Sequence, residues 1–171
     1  SLQRPGVLHA IARVLGISQY LWETFLRSRH DELFPLLAQA ERLSERLHAD
    51  QLRTELLAML AGLPEHSSGN TAWILLNDFK DRHLFRIDMR HVLGYCRPFG
   101  AFSQELTELA ELVVSAACSL AFSELEKLHG RPLTALSRDC RWMAGGLGKF
   151  GGSELGFASD IELLLVYETE G

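Results

Sequence analysis

The sequence predicts a mainly α-helical, bundle-like domain that is followed by the start of an α/β domain. Over the first three quarters of the chain, apolar side chains recur three or four positions apart, which is the spacing of amphipathic helices. After Pro132 this period disappears, glycines crowd residues 145–152, and Ile161–Tyr167 is a continuous apolar run typical of a buried strand. We therefore expect a helical domain over residues 1–132 and the beginning of a second domain over residues 133–171. This second domain is expected to be truncated, because two strands do not make a stable sheet with a covered core.

The apolar periodicity predicts five helices in the first domain. Their expected ranges are residues 7–25, 33–47, 52–60, 71–93 and 103–129. Asp31 and Ser103 are the expected N-caps, because their side chains can accept hydrogen bonds from free backbone amides, and Gly130 is an expected C-cap. Residues 63–70 predict a loop. In the second domain we expect a strand, a glycine loop, a short helical turn and a second strand.

The composition is that of a globular protein with an acidic balance. The net charge is −5 over 171 residues, which argues against a nucleic-acid partner, since nonspecific binding depends on neutralising phosphates. Three widely spaced cysteines lack metal-ligand spacing, so we expect reduced, buried thiols in a cytoplasmic protein. The sequence carries no recognisable secretory signal and no evident apolar run of 18 residues, so we expect no membrane partner.

Two acidic residues interrupt the predicted C-terminal strand. Asp160 and Glu162 are two positions apart, so on an extended strand both side chains point to one face, roughly 6.6 Å apart along the backbone. Burying carboxylates costs free energy unless something compensates their charge. Mg²⁺ is a cation that prefers carboxylate oxygens. Because the upstream glycines allow backbone amides to approach phosphates, the segment predicts a site for a nucleoside triphosphate and Mg²⁺.

The glycines allow other interpretations. A Walker A loop requires Ser or Thr after its Lys, whereas Phe150 follows Lys149 here. Gly146, Gly148 and Gly151 satisfy the GxGxxG pattern of a dinucleotide-binding fold. However, that fold needs a parallel crossover of a dozen or more residues, and too few separate Gly151 from the next strand. A simple glycine-rich turn between two strands also explains the glycines, although it leaves the two acids unexplained.

The segment resembles the signature of the glutamine synthetase adenylyltransferase family, within the polymerase-β-like nucleotidyltransferase superfamily. That signature is GxGKxGGxEL, followed after a few residues by SD, a hydrophobic residue, D and L. The matching positions are Gly146, Gly148, Lys149, Gly151, Gly152, Glu154, Leu155, Ser159, Asp160, Ile161 and Leu163. Residues 79–87 and 105–111 also resemble helical segments of the family. The resemblance covers most of residues 70–167 and extends only loosely to the first 70.

The resemblance implies an enzyme that transfers AMP from ATP to a tyrosine of glutamine synthetase, or removes it, in a Mg²⁺-dependent reaction. It implies that Asp160 and Glu162 bind the metal ions. The residues it assigns to the nucleotide are Gly148, Lys149, Gly151, Gly152, Ser153 and Ser159. For Lys149, contact with phosphate and pairing with Glu154 both remain open. Glutamine synthetase is the implied protein substrate, and a PII-type signalling protein is a candidate second partner.

Two departures from the family pattern bear on catalysis. The second acid is usually Asp in the family, whereas it is Glu162 here, and the extra methylene moves the carboxylate by about one bond length in a metal geometry that tolerates little change. The superfamily also uses a third carboxylate on a later strand. Glu168 cannot supply it, because six residues along one strand span roughly 20 Å. We therefore expect this chain alone to be inactive, and a catalytically incomplete nucleotide-binding or regulatory module is the alternative. A nucleotidyltransferase acting on a small molecule or RNA is a third interpretation.

A stripe of arginines marks the fourth predicted helix. Arg82, Arg86 and Arg90 recur at intervals of four, so they share one helix face. We interpret this as a solvated face on which Asp78 pairs with Arg82. The alternative is a contact with nucleotide phosphate or with the acidic surface of a partner.

Overall fold

The computed structural model describes residues 43–64 and 69–169, which are mostly helical with one small sheet. The elements are α1 (Ala49–Ala61), α2 (Gly69–Val92), α3 (Ala101–His129), β1 (Trp142–Leu147), the single turn α4 (Gly148–Gly151) and β2 (Glu162–Tyr167). The described residues follow the predicted order of helices, strand, helical turn and strand, but no separate glycine loop precedes the turn, because β1 ends at Leu147 and α4 begins at Gly148. The helix predicted over residues 7–25, most of that over 33–47 and the Asp31 N-cap lie outside the described residues. The boundary at residue 132 stays a prediction.

The start of α1 shows where the preceding predicted helix has to end. His48 is extended (φ −85°, ψ 158°), and its backbone N–H donates to Gln51 Oε1 at 2.9 Å, which is half of a capping box. Residues 45–48 are not helical. The prediction of a helix continuing to Leu47 is therefore wrong at its last three positions. The apolar period continues through Leu47 because that side chain packs against the core without being helical.

Glycines set both ends of α3. Gly100 is the N-cap at φ +81°, and its carbonyl accepts a hydrogen bond from the Gln104 N–H at 2.9 Å. Ser103 is therefore inside the helix, where its carbonyl accepts from the Thr107 hydroxyl at 2.8 Å, so the prediction that Ser103 is the N-cap is wrong. Gly130 is the C-cap, as predicted, at φ +79°. A residue with a Cβ is strained at these dihedrals, so the sharp chain reversals at both ends depend on glycine.

The described core lies between α1, α2 and α3 and also includes part of the glycine segment. Its buried members are Leu52, Leu56, Leu76, Phe79, Ile87, Leu106, Leu109, Ala110, Phe150 and Leu155. Full burial of one large apolar side chain contributes about 1.5–3 kcal/mol. Phe150 on α4 and Leu155 just after it are 7% and 4% exposed. The segment from α4 to Leu155 is consequently packed against the helices by its own apolar side chains.

β1 and β2 form an antiparallel hairpin that runs from the pair Trp142 and Tyr167 to the pair Leu147 and Glu162. The antiparallel direction excludes the parallel crossover of a dinucleotide-binding fold between these two strands. Trp142 stacks on Phe122 of α3, with ring centroids 5.7 Å apart and planes inclined by 13°. Since side chains alternate along a strand, Gly146, Leu163 and Leu165 share this α3-facing side, whereas Glu162 and Leu164 lie on the opposite side.

The prediction that Ile161–Tyr167 is a buried strand is wrong for the structure as described. All six residues of β2 are exposed, and Leu165 retains 61% of its accessible surface. An apolar run is buried on both faces only when layers cover both faces of its sheet. In the described part of the chain the sheet has two strands, and only one of its faces lies towards α3.

α3 is long and apolar enough, by length and composition alone, to cross a membrane, with a mean hydropathy of 1.4 over an 18-residue window. The expectation that no such run exists is wrong for this helix. A single helix of this kind is weak support for a membrane span, because a core helix of a globular protein meets the same criteria. Leu106, Leu109 and Ala110 of α3 are buried in the core. The absence of a membrane partner stays a prediction.

The three cysteines, Cys96, Cys118 and Cys140, are free, as expected, but only half-buried. Cys96 lies beside the carboxylate of Glu105, with Sγ and Oε1 3.5 Å apart. Desolvation by burial, together with the Glu105 charge, raises the pKa of Cys96 to about 11. This thiol is therefore protonated at neutral pH and a poor nucleophile.

Candidate functional site

The structure places the two predicted metal ligands at the start of β2. Glu162 is the first residue of the strand, and Asp160 precedes it by two positions, so only Glu162 belongs to the hydrogen-bonded hairpin. Both residues are exposed. The expectation of buried carboxylates that require a compensating cation is therefore wrong for this structure. The prediction of a metal site therefore depends on the closeness of the two residues in sequence and on their carboxylate oxygens, which are hard donors.

Glu162 contacts the glycine turn directly. A Cβ added to Gly148 would lie 2.5 Å from Glu162 Oε2, so the carboxylate sits against the Gly148 backbone. The hairpin register accounts for this contact, because Glu162 pairs with Leu147, the residue before Gly148. Gly148 has φ +52°, a left-handed conformation that favours glycine. The structure thus brings together one predicted metal ligand and one predicted nucleotide-binding residue.

Two further glycines are required by the close packing of α4 on β1. A Cβ on Gly146 would lie 2.7 Å from Cδ1 of the Phe150 ring, and a Cβ on Gly151 would overlap the carbonyl of Gly146. A Cβ on Gly152 would meet the Gly148 carbonyl oxygen at 3.4 Å, which is ordinary contact. The GxGxxG spacing of Gly146, Gly148 and Gly151 therefore has a packing cause in this fold, independent of any bound phosphate.

The donors that could contact phosphate are fewer than the glycine content suggests. The backbone amides of Gly152 and Ser153 already donate to the carbonyls of Gly148 and Phe150, at 3.0 and 3.2 Å. The side chains of Lys149 and Ser153 are exposed. The structure shows no ion pair between Lys149 and Glu154, whose contact is a backbone hydrogen bond of 2.7 Å. The Lys149 ammonium and the Ser153 hydroxyl are therefore the groups of this turn suited to an anion.

Ser159 closes the turn that leads into the acids. Its hydroxyl accepts the Gly156 N–H at 2.9 Å, and its own N–H donates to the Gly156 carbonyl at 3.2 Å. Ala158, just before it, has φ +54°, so this turn holds a strained residue. Asp160 follows immediately. In the structure Ser159 therefore sets the direction of the backbone at Asp160.

The donor set suits Mg²⁺ bound together with a nucleotide. Within residues 43–64 and 69–169, no group of three or more His, Cys, Asp or Glu side chains is arranged to hold a metal ion. Mg²⁺ is commonly held by one or two carboxylates together with substrate phosphates, and Asp160 and Glu162 are the carboxylates predicted for that role. Glu168 is engaged elsewhere, because Arg141 donates to both of its carboxylate oxygens at 3.3 Å and lowers the pKa of Glu168.

A cavity of about 570 Å³ lies between α3 and the hairpin. Its lining includes Cys118, Trp142, Gly151, Ser153 and Leu163. Neither acid lines it, and Leu163 belongs to the face of β2 opposite to Glu162. The cavity adjoins two of the predicted nucleotide-binding residues but not the predicted metal ligands. Its size alone does not identify it as the reaction site.

The arginine stripe of α2 is structural rather than solvated, so that interpretation is wrong. Arg90 is 3% exposed, donates to both carboxylate oxygens of Glu105 at 2.9 and 3.2 Å, and also donates to the Leu43 carbonyl. Arg86 is buried and donates to the carbonyl of Glu45 at 2.6 Å. Arg82 pairs with Glu55 on α1. Groups engaged in this way link α2 to its neighbours and are not free to contact a phosphate.

Asp88 of α2 is a residue that sequence reasoning did not single out. It is 1% exposed, its Oδ1 has no hydrogen-bond partner among the described residues, and it lines a cavity of about 210 Å³ between α2, α3 and residues 155–161. Burial raises the pKa of Asp88 to about 7. A signal was present in the sequence, because Asp88 lies four positions after Leu84, on a helix face where an apolar side chain is expected.

Comparison with known proteins agrees with the motif. The family model of glutamate-ammonia ligase adenylyltransferase matches residues 8–171. The chain belongs to this family. The resemblance found in the segment from Gly146 to Leu163 is thereby confirmed, and the family match also includes most of the first 70 residues, to which the resemblance in the sequence extended only loosely.

Individual relatives carry one description, bifunctional glutamine synthetase adenylyltransferase/adenylyl-removing enzyme. The chain is 30% identical to the enzyme of Vibrio parahaemolyticus over 167 residues, 31% to that of Haemophilus ducreyi over 170, and 30% to that of Pseudomonas aeruginosa over 168. These matches cover 97%, 96% and 97% of this chain. The chain spans 17% of the length of each of these relatives, so their complete activity extends over far more protein than is present here.

Proposed function

We propose that this chain contributes the start of a polymerase-β-like nucleotidyltransferase site, which transfers AMP from ATP to a tyrosine of glutamine synthetase or removes it. The main support for the proposal is the contact between the Glu162 carboxylate and Gly148, where β1 ends and β2 begins. It joins an acid suited to a metal ion with a turn suited to a nucleotide. The family membership of the chain supports the same activity.

In this proposal Asp160 and Glu162 hold Mg²⁺. When bound, Mg²⁺ would neutralise triphosphate charge and favour attack by a hydroxyl group. The exposed Lys149 ammonium and Ser153 hydroxyl would bind phosphate oxygens by charge-assisted and neutral hydrogen bonds. Gly148, Gly151 and Gly152 would shape the turn that presents these groups, and the Ser159 turn would orient Asp160.

The second candidate function is a catalytically incomplete module that binds nucleotide or a regulatory partner. Two observations favour it. The family pattern has Asp where this chain has Glu162, and the described residues place no third carboxylate beside the pair. Mg²⁺ requires near-ideal octahedral geometry, so a displaced carboxylate weakens catalysis before it abolishes binding. On this ground we propose that the chain alone binds the nucleotide but is inactive.

The partners of the proposed enzyme follow from its reaction. Glutamine synthetase would be the protein substrate, ATP the nucleotide and Mg²⁺ the metal ion, in the cytoplasm where we expect these proteins to act. A PII-type signalling protein is the proposed second partner. The net charge of −5 supports the absence of a nucleic-acid partner, because the chain has no cationic excess to neutralise phosphates.

The first test is calorimetric binding of ATP to the chain with and without Mg²⁺. We expect Mg²⁺-dependent binding that Asp160→Asn and Glu162→Gln each weaken by about tenfold or more, in line with the loss of a charged ligand. Asp50→Asn is the matched control, because Asp50 is an exposed acid in the first turn of α1, outside the proposed site. The control should bind as the unaltered chain does.

The second test is transfer of α-labelled AMP from ATP to glutamine synthetase. Transfer that depends on Asp160 establishes the enzyme, whereas Mg²⁺-dependent binding without transfer establishes the incomplete module. Glu162→Asp restores the family's acid, so it is expected to raise any transfer. If ATP binds equally well without Mg²⁺, or if Asp160→Asn binds as well as Asp50→Asn, the proposed site is wrong.

A further inference from the structure

A second cavity lies behind the segment that carries Asp160. It measures about 210 Å³ and is lined by α2, α3 and residues 155–161. Its apolar lining consists of Leu84, Leu106, Leu109, Ala110, Val113, Leu155, Phe157, Ala158 and Ile161. Among the described residues its lining contains a single buried acid, Asp88. The cavity is therefore an apolar space with one strong hydrogen-bond acceptor in its wall.

Asp88 lacks the partner that a buried carboxyl normally has. Its side chain is 1% exposed, and Oδ1 accepts no hydrogen bond from any of the described residues. Lys80 is the other charged residue of the described lining, but its ammonium contacts Asp81 at 3.2 Å and Asn77 at 3.3 Å. Buried polar groups without partners are rare and costly, and a bound water molecule or ligand that supplies the missing hydrogen bond is one explanation for them.

The size and lining of the cavity define the ligand that would complete it. A single water molecule would satisfy Asp88 but would leave most of the space empty, since water occupies about 30 Å³ in the liquid. An apolar cavity of about 150 Å³ accepts a molecule the size of benzene. A carboxylate binds a protonated amine more strongly than a neutral donor, because the hydrogen bond is charge-assisted. We propose that this cavity binds a compact, largely apolar molecule carrying one amino group, which donates to Asp88.

The location of the cavity connects such a ligand to the acids. Ser159 and Ile161 both line the cavity, and they flank Asp160 on either side. Phe157 of the same wall packs on Phe102 of α3, with ring centroids 4.7 Å apart. A bound molecule therefore contacts both neighbours of Asp160 and restrains the segment between α4 and β2. The binding itself requires no nucleotide, metal ion or transfer reaction.

The test uses three ligands of matched size that differ in their donor, namely benzylamine, benzyl alcohol and toluene. Their affinities for the 171-residue chain are measured by calorimetry at pH 8, with Asp88→Asn as the variant and Asp50→Asn as the matched control. We expect benzylamine to bind the unaltered chain and the control most tightly. Asp88→Asn should weaken benzylamine by roughly ten- to a hundredfold, the usual effect of a buried charged hydrogen bond, and leave toluene unchanged.

Two further measurements test whether the ligands occupy this cavity. Val113→Phe fills part of the cavity and should weaken all three ligands, with circular dichroism verifying that the variant is folded. In nuclear magnetic resonance spectra, benzylamine should shift the amide signals of Ser159 and Ile161 in the unaltered chain. The proposal is overturned if benzylamine binds no better than toluene, binds Asp88→Asn equally well, or does not bind at all.

Discussion

The buried carboxyl of Asp88 predicts an unusual pH dependence of stability. Its pKa is about 7 in the folded chain, against a reference value of 3.8. Because the folded state holds this proton more tightly than the unfolded state, its contribution to stability is complete below about pH 3.8 and is lost as the pH rises through 7. With about 1.36 kcal/mol per pKa unit, the free energy of unfolding should fall by about 2.5 kcal/mol between pH 5 and pH 8 from this group alone.

Asp88→Asn isolates this contribution, because the amide has nearly the same shape and does not titrate. Urea unfolding of both chains is followed by circular dichroism at pH 5, 6, 7 and 8, and the free energies of unfolding are subtracted at each pH. Other titrating groups cancel in the difference. The variant should gain about 2.5 kcal/mol relative to the unaltered chain across this range. A change below about 0.5 kcal/mol, the size of an ordinary surface substitution, would refute the reasoning.

Two further substitutions test the packing described above, each by the free energy of urea unfolding. Gly151→Ala should lower this free energy by about 1–3 kcal/mol, because the new Cβ overlaps the Gly146 carbonyl. The control Gly152→Ala should change it by less than about 1 kcal/mol, and equal effects of the two substitutions would contradict the packing of α4 on β1. Arg90→Met should cost about 3–5 kcal/mol by leaving the Glu105 carboxylate buried without its partner, and a cost below about 1 kcal/mol would show that solvent reaches this pair.

The sequence predicted most of the described fold because helix periodicity and glycine positions are local signals. α1, α2 and α3 lie where the apolar period placed them, and Gly130 ends α3 as predicted. One error concerns which residue caps the N-terminus of α3. Ser103 is a good N-cap residue, but Gly100 can adopt φ +81° and starts the helix earlier. The burial of β2 could not be predicted from its apolar composition, because burial depends on what covers the sheet.

The candidate site was predictable as a set of residues but not as an arrangement. The motif identified Glu162 and Gly148, and the hairpin register brings them into contact. The sequence could not reveal that the backbone amides of Gly152 and Ser153 donate hydrogen bonds to carbonyls of α4 itself. Nor could a helical spacing of arginines show that Arg90 is buried against Glu105, because the partner lies on another helix. Long-range contacts of this kind require the fold.

The packing of the glycine turn gives its glycines a structural role that does not depend on the proposed chemistry of Asp160 and Glu162. A descendant that had exchanged Asp160 or Glu162 for other residues would still need Gly146 and Gly151 to seat α4 on β1. Substituting these glycines should weaken the packing of α4 on β1, whereas Asp160 and Glu162 are exposed, so substituting them should leave that packing intact. We therefore expect the glycines of this signature wherever the packing of α4 on β1 is kept, whether or not the two predicted metal ligands are present.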